Sequence, residues 1–277
     1  MPIGSDRLCS DRLCDRTWRV TGFGGSRRVS YEAWLSPLRR PTPRPEARIV
    51  VIPHSGAGPN ALLPLVKHIP APFEVVGVTL PGRERRFVEA PEISPDDLLG
   101  GIARELAALP SLPTVLFGHS LGGSIAFALS VTDPGSCSAL VISAQLPCGS
   151  QIERPREWDE DALTRVLQRG GGTPADMLND PAWRDHTLRL LRADLTLGGQ
   201  LALRNAQMRV AHPLTVLGGE QDLLVPAERL GAWAERADTA VDSRVLPGGH
   251  FYLLDDANRE VVAEAVAASA RVATAAP

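Results

Sequence analysis

The sequence predicts an α/β protein, a doubly wound and mostly parallel sheet carrying one helical insertion. From Arg48 onward, short continuously apolar runs rich in β-branched residues alternate with longer stretches of helical period. That order builds a sheet with helices on both faces. Between Pro147 and His212 the alternation stops, and only helical stretches follow one another.

The expected strands are 49–52, 74–79, 114–117, 139–143, 214–217 and 243–246. They are short and apolar throughout, as in a sheet covered on both faces. Between them the period predicts helices over 60–68, 95–109, 121–131, 226–237 and 258–272. The second has a clear start signal: Ser94 as N-cap, Pro95 at the first helical position, then Asp96 and Asp97 against the helix dipole. The irregular segment, residues 147–211 with helical stretches at 161–168 and 183–195, is too long for a plain sheet connection. It is expected to cap the carboxyl edge of the strands, where open α/β sheets bind ligands.

Residues 1–30 are expected to be a disordered tail. They hold a tandem repeat (Ser5 to Cys9, then Ser10 to Cys14) and a glycine-rich patch at Gly22, Gly24 and Gly25, with little hydrophobic period. A proline- and arginine-rich linker, 37–45, cannot be helical. Residues 31–277 then form one domain.

Composition narrows the function classes. The 277 residues are 44% apolar and 22% charged, with a net charge of −3. That is enough chain for one large core and gives no electrostatic reason to expect nucleic acid or an anionic membrane as partner. The N-terminus lacks an apolar signal segment, and the uncharged run from Ala107 to Thr132 is broken by Pro110, Pro113, Gly118, Gly122 and Gly123. A soluble, cytoplasmic protein is expected. None of the four cysteines has the spacing of a zinc or redox site, so all are read as bystander thiols.

The chemistry centres on Gly118-His119-Ser120-Leu121-Gly122, a G-x-S-x-G. The bare pattern is weak. Its setting, a buried strand before it and a helix after it, is that of a nucleophile elbow, where glycines relieve crowding at a strained turn. A serine hydroxyl needs a base, and the chain order serine, acid, histidine directs the search downstream. Strand 214–217 runs into Gly218-Gly219-Glu220-Gln221-Asp222, and strand 243–246 into Pro247-Gly248-Gly249-His250. His250 is the expected base. Asp222 is the expected acid, with Glu220 its rival in the same loop. His54 stands at a strand end but precedes the serine. An oxyanion hole is also required, and the backbone N–H groups of Leu121 and of Ser55, in Pro53-His54-Ser55-Gly56-Ala57-Gly58, are the candidate donors.

From about Trp34 to the C-terminus the chain resembles the type II, or editing, thioesterases that accompany nonribosomal peptide and polyketide synthases, on the α/β-hydrolase fold. The resemblance rests on the Pro53 to Gly58 and Phe117 to Gly122 segments, on Leu80-Pro81-Gly82-Arg83-Glu84-Arg85-Arg86-Phe87, and on Gly171 to Pro174. It also rests on Leu217 to Asp222 and on Gly248-Gly249-His250-Phe251-Tyr252-Leu253-Leu254. It departs at Ser55, where the family usually has alanine, and at Gly198-Gly199, where an acidic and aromatic pattern is common.

The resemblance implies a monomeric serine hydrolase that frees acyl groups from the phosphopantetheine thiol of carrier domains. Ser120, Asp222 and His250 would be its triad, Ser55 and Leu121 its oxyanion donors, and 147–211 its helical lid, with no metal or organic cofactor. Arg83, with Arg85 and Arg86, is a candidate to meet the pantetheine phosphate or an acidic carrier face; pairing with Glu84 and Glu89 is the rival. Trp158 and Trp183 are candidates to line an acyl pocket, against plain packing of the lid. Two other readings stay open: a different serine esterase or acyltransferase of this fold, and a non-catalytic protein that docks on a synthase.

Overall fold

The computed structural model describes residues 17–22, 25–30, 34–40, 42–147, 158–171 and 179–275. Two strands, β1 (Thr17–Gly22) and β2 (Gly25–Ser30), pair antiparallel, with Gly22 opposite Gly25. They lie in the stretch expected to be a tail and form a sheet of their own, apart from the main one. Small residues facing each other beside the reversal favour such a hairpin. The cysteine-bearing repeat upstream lies outside the described residues.

The main sheet has seven strands: β3 (Leu35–Pro37), β4 (Ala47–Ile52), β5 (Phe73–Val78), β6 (Thr114–His119), β7 (Ala139–Ser143), β8 (Leu214–Gly219) and β9 (Val241–Leu246). Their spatial order is β3-β5-β4-β6-β7-β8-β9. Every pairing is parallel except that of β3 with β5. The six expected strands are thus present, most of them longer by a residue or two. β3 is the addition, a three-residue edge strand held by Glu105, whose carboxylate accepts from the N–H groups of Trp34 (2.8 Å) and Leu35 (3.2 Å).

β4, β5, β6, β7 and β8 are buried along their whole length, because helices cover both faces. One apolar layer joins Val50, Leu116, Ile142 and Val216 to α2 (Pro95–Ala108) and α3 (Leu121–Thr132). The opposite layer joins Ile49, Val115, Val141 and Leu217 to the C-terminal helix α6 (Asp256–Ala275). The strand period of two sends alternate residues to opposite layers. The short helix α1 (Leu63–Val66) follows a 3-10 turn at Pro59–Leu62, and the segment Ala227–Arg236 is 3-10 rather than the expected α-helix.

The insertion is helical where it is described. It contains α4 (Glu160–Gly170) and α5 (Pro181–Arg204), each capped by an aspartate: Asp159 accepts from Ala162 N–H, and Asp180 from Ala182 and Trp183 N–H. α5 has two packing environments. Its first half forms a small separate core, with Leu188 and Leu191 against Leu163 of α4. Its second half places Leu197 and Leu201 in the main core.

Among the described residues no helix is long and apolar enough to cross a membrane. Cys137 is buried, and burial pushes its thiol up to about 12, an unreactive group. Cys9, Cys14 and Cys148 lie outside the described residues.

Candidate active site

The site lies at the carboxyl edge of the sheet. β6 ends at His119, Ser120 turns sharply and α3 starts at Leu121. Ser120 has φ 55° and ψ −119°, a left-handed conformation that costs a non-glycine residue about 1–3 kcal/mol. The surroundings enforce it. Ser120 N–H donates to Ser143 O at 2.8 Å, and Ser120 O accepts from Gly123 N–H (2.8 Å) and Gln145 Nε2 (3.1 Å). The turn is so tight that a Cβ on Gly122 would lie 2.0 Å from Ile52 O, and one on Gly118 2.1 Å from Gly122 O. Only glycine fits at either position.

The two later loops converge on this serine. Gly248 N–H donates to Gln221 Oε1 at 2.5 Å and Gln221 N–H to Gly248 O at 2.9 Å, which locks the loop after β8 to the loop after β9. Within that frame His250 Nε2 lies 3.0 Å from Ser120 Oγ, and His250 Nδ1 lies 2.8 Å from Asp222 Oδ2. The other oxygen of Asp222 accepts from the N–H groups of Leu224 (2.8 Å) and Val225 (3.0 Å). His250 and Asp222 are buried, while the rival Glu220 is exposed and receives the side-chain amide of Gln221. The spacing allows a serine proton to pass to an imidazole whose tautomer the aspartate fixes.

Two further histidines sit against this line. His119 is fully buried, its Nδ1 2.9 Å from Ser143 Oγ, which in turn meets Tyr252 OH at 2.7 Å. Its ring centroid is 5.1 Å from that of His250. His54 stacks edge-on to Phe251 at 4.7 Å and lies 5.7 Å from His119. Burial, reinforced by the nearby His250 and Arg83 charges, lowers His54 to about 4; burial also takes His119 well below the usual imidazole range. Both rings are therefore neutral at pH 7 and present His250 with an uncharged wall. His54 stood out in the sequence only as a strand-end histidine in the wrong order.

Both oxyanion candidates lie in segments that directly follow a strand, β6 for Leu121 and β4 for Ser55. Leu121 is the first residue of α3, so its N–H has no acceptor within the helix. Ser55 lies in the turn after β4, followed by Gly56 at φ 80°.

Arg83 needs correction as a substrate ligand. It is 3% exposed, and its guanidinium pairs in bidentate fashion with Asp194 of α5 at 2.7 and 2.8 Å. Arg86 is also engaged, bound to Glu89 and Thr79 O and stacked over the Trp34 ring at 4.1 Å. The proposed rival pairing of this segment with Glu89 is therefore present, while the partner of Arg83 comes from the insertion. The missed residue is Asp194. Its signal was an acid on the apolar stripe formed by Leu190, Leu191, Leu197 and Leu201.

The two tryptophans separate. Trp158 packs into the small core between α4 and α5, and its carbonyl accepts from Arg192. Trp183 is 52% exposed and lines a groove of about 300 Å³ with Arg83, Phe87, His186 and Leu190, which reaches Gly56 and Gly58 in the loop after β4. Among the described residues no group of His, Cys, Asp and Glu could hold a metal ion.

The thioesterase domain profile matches residues 47–270. The chain is 29% identical over 216 residues to the gramicidin S biosynthesis protein GrsT of Aneurinibacillus migulanus, covering 75% of this chain and 83% of that protein. It is 32% identical over 233 residues to a probable cadicidin biosynthesis thioesterase of Streptomyces griseus, covering 81% of this chain and 64% of that one. Among solved structures, the type II thioesterase BorB from the borrelidin biosynthetic cluster aligns with a TM-score of 0.71 at 26% identity, over 85% of this chain and 98% of BorB. With the profile spanning β4 to β9 and all three expected triad positions, the chain belongs to the thioesterase domain family.

Proposed function

We propose that the protein hydrolyses acyl groups from the phosphopantetheine thiol of carrier domains in a peptide or polyketide synthase. The observation that carries this reading is the unbroken line from Ser120 Oγ to His250 Nε2 at 3.0 Å and from His250 Nδ1 to Asp222 Oδ2 at 2.8 Å, set in a thioesterase-family chain. The names of its relatives, a gramicidin S biosynthesis protein and a type II thioesterase from a borrelidin cluster, support carrier-bound thioesters as the substrate class.

Two half-reactions follow. His250 takes the Ser120 proton as the oxygen attacks the thioester carbonyl, and the N–H groups of Ser55 and Leu121 hold the resulting oxyanion. The tetrahedral adduct expels the pantetheine sulfur, which takes the proton from His250, and an acyl-serine remains. His250 then draws a proton from water, which attacks the ester, and returns it to Ser120 as the free acid departs. Asp222 holds the imidazole tautomer and stabilises its charged form. Thiolate is a better leaving group than alkoxide, so no metal is needed to activate the carbonyl.

The test is turnover of acetyl-, short-acyl- and aminoacyl-loaded carrier domains by wild type and Ser120→Ala. Release of the free acid, abolished in the variant, is expected. Rapid cleavage of p-nitrophenyl esters with no cleavage of any loaded carrier would overturn the substrate assignment.

A further inference from the structure

Asp194 joins the insertion to the loop that would hold the oxyanion. It lies midway along α5, is 1% exposed, and its carboxylate accepts three hydrogen bonds. Oδ2 takes Gly56 N–H at 2.7 Å and Arg83 Nη1 at 2.7 Å, while Oδ1 takes Arg83 Nη2 at 2.8 Å. Arg83 also donates to Pro81 O at 3.1 Å and reaches Ala57 O at 3.5 Å. The other flank of the loop is held in the same manner, by Glu84 Oε1 accepting from Asn60 N–H at 3.0 Å. Two carboxylates from elsewhere in the chain thus grip the backbone of residues 56–60.

The ion pair alone would satisfy both charges through its two parallel bonds. The bond to Gly56 N–H adds something else, because it fixes the peptide directly after Ser55, in a turn where Gly56 has φ 80° and Ala57 N–H closes on His54 O at 3.2 Å. α5 also abuts the second donor segment: a Cβ placed on Gly198 would lie 3.2 Å from Leu121 Cδ1. One helix therefore meets both segments, the first at Gly56 N–H and the second at the Leu121 side chain.

We propose that Asp194 is a positioning residue, whose carboxylate fixes the Ser55–Gly56 backbone in the place the oxyanion hole needs. This rests on the oxyanion role proposed for Ser55.

Two double variants of the full chain isolate the Gly56 bond from the ion pair. Arg83→Leu with Asp194→Asn removes both charges and keeps an oxygen acceptor for Gly56 N–H. Arg83→Leu with Asp194→Leu removes the acceptor too, and apolar replacement of a buried pair is generally tolerated. With p-nitrophenyl acetate, kcat of the second is expected to fall about tenfold or more below the first, part of the 10²–10³ lost with a whole oxyanion donor. KM and the apparent pKa of the pH–rate profile are expected to match between them. Equal kcat values, or a difference carried by KM, would overturn the proposal.

Ester cleavage reports the hole whatever thioester is the natural substrate. Inactivity toward loaded carriers would therefore defeat the proposed function and leave this result standing. Should either variant fail to fold by circular dichroism, amide exchange of the wild type decides. Gly56 N–H is expected to exchange about tenfold or more slowly than an unprotected amide, and exchange at the unprotected rate rejects the fixed bond.

Discussion

Asp222 and His250 share a buried hydrogen bond of 2.8 Å, and the second carboxylate oxygen of Asp222 is bound by the N–H groups of Leu224 and Val225. Those two backbone donors set the rotation of the carboxylate, so the oxygen facing Nδ1 is always an acceptor. Asp222→Asn would place an amide in that frame and favour the wrong imidazole tautomer. A fall in kcat for thioester hydrolysis of about 10³–10⁴ is expected. Glu220→Gln, on the exposed side of the same loop, is expected to stay within about twofold of wild type. A comparable loss in both variants would mean that the loop's acid has been misassigned.

The elbow makes a stability prediction that does not depend on substrate. Gly122 packs its α-carbon against Ile52 O, where an added methyl would approach to 2.0 Å, and the neighbour is backbone that cannot rotate away. Gly122→Ala is expected to cost at least about 3 kcal/mol, the upper range for overpacking, read as a lower urea midpoint. Gly231→Ala, where nothing lies within 4 Å, is the control and should leave the midpoint near that of wild type. A well-folded, fully stable Gly122→Ala protein would contradict the close approach of α3 to the end of β4.

Much of this was legible because the signals are local. The run Thr114-Val115-Leu116-Phe117 gives a buried strand, the glycines after it give the turn, and the order serine, acid, histidine ranks the later loops. The loop alone ranks Asp222 above Glu220 but leaves both in play, and the burial that separates them is a property of the packed chain. The partner of Arg83 was hidden for the same reason, since Asp194 lies 111 positions away in sequence. β3 escaped because three residues give no period, and its pairing is decided by Glu105 on α2. The end of α5 at Arg204, well past the expected 195, follows from Leu197 and Leu201 entering the main core, a tertiary contact that outweighs the glycine pair at 198 and 199.

The buried histidines make stability depend on pH. His54 is lowered from an ordinary 6.5 to about 4 by burial and by nearby positive charge, and His119 moves in the same direction. Between those values the unfolded chain binds a proton that the folded chain does not, so stability rises with pH across that window and is lost as pH falls through it. For His54 alone the difference is on the order of 3 kcal/mol between pH 7 and pH 4. Urea unfolding at pH 7, 5.5 and 4.5 should show a falling free energy of unfolding, with a shallower fall in His54→Gln. Equal slopes for the two proteins would show that His54 protonates as readily in the folded state as in the unfolded one.

Trp158 and Trp183 have similar chemistry and should behave oppositely when truncated. Trp158 packs with Leu163, Leu188 and Leu191 in the small core of the insertion, so Trp158→Ala is expected to loosen α4 from α5 by roughly 2 kcal/mol. Hydrogen exchange across 158–204 would detect this as faster exchange confined to the insertion. Trp183 is 52% exposed at the rim of the groove that runs to Gly56 and Gly58, so its removal should leave stability unchanged. If the groove receives the acyl chain, Trp183→Ala raises KM several-fold for longer acyl groups and little for acetyl, because apolar contact scales with the area covered, about 25 cal/mol per Å². Chain-length profiles of loaded carriers, measured for wild type and variant, read this directly. Parallel profiles would place the acyl chain elsewhere and leave Trp183 a surface residue.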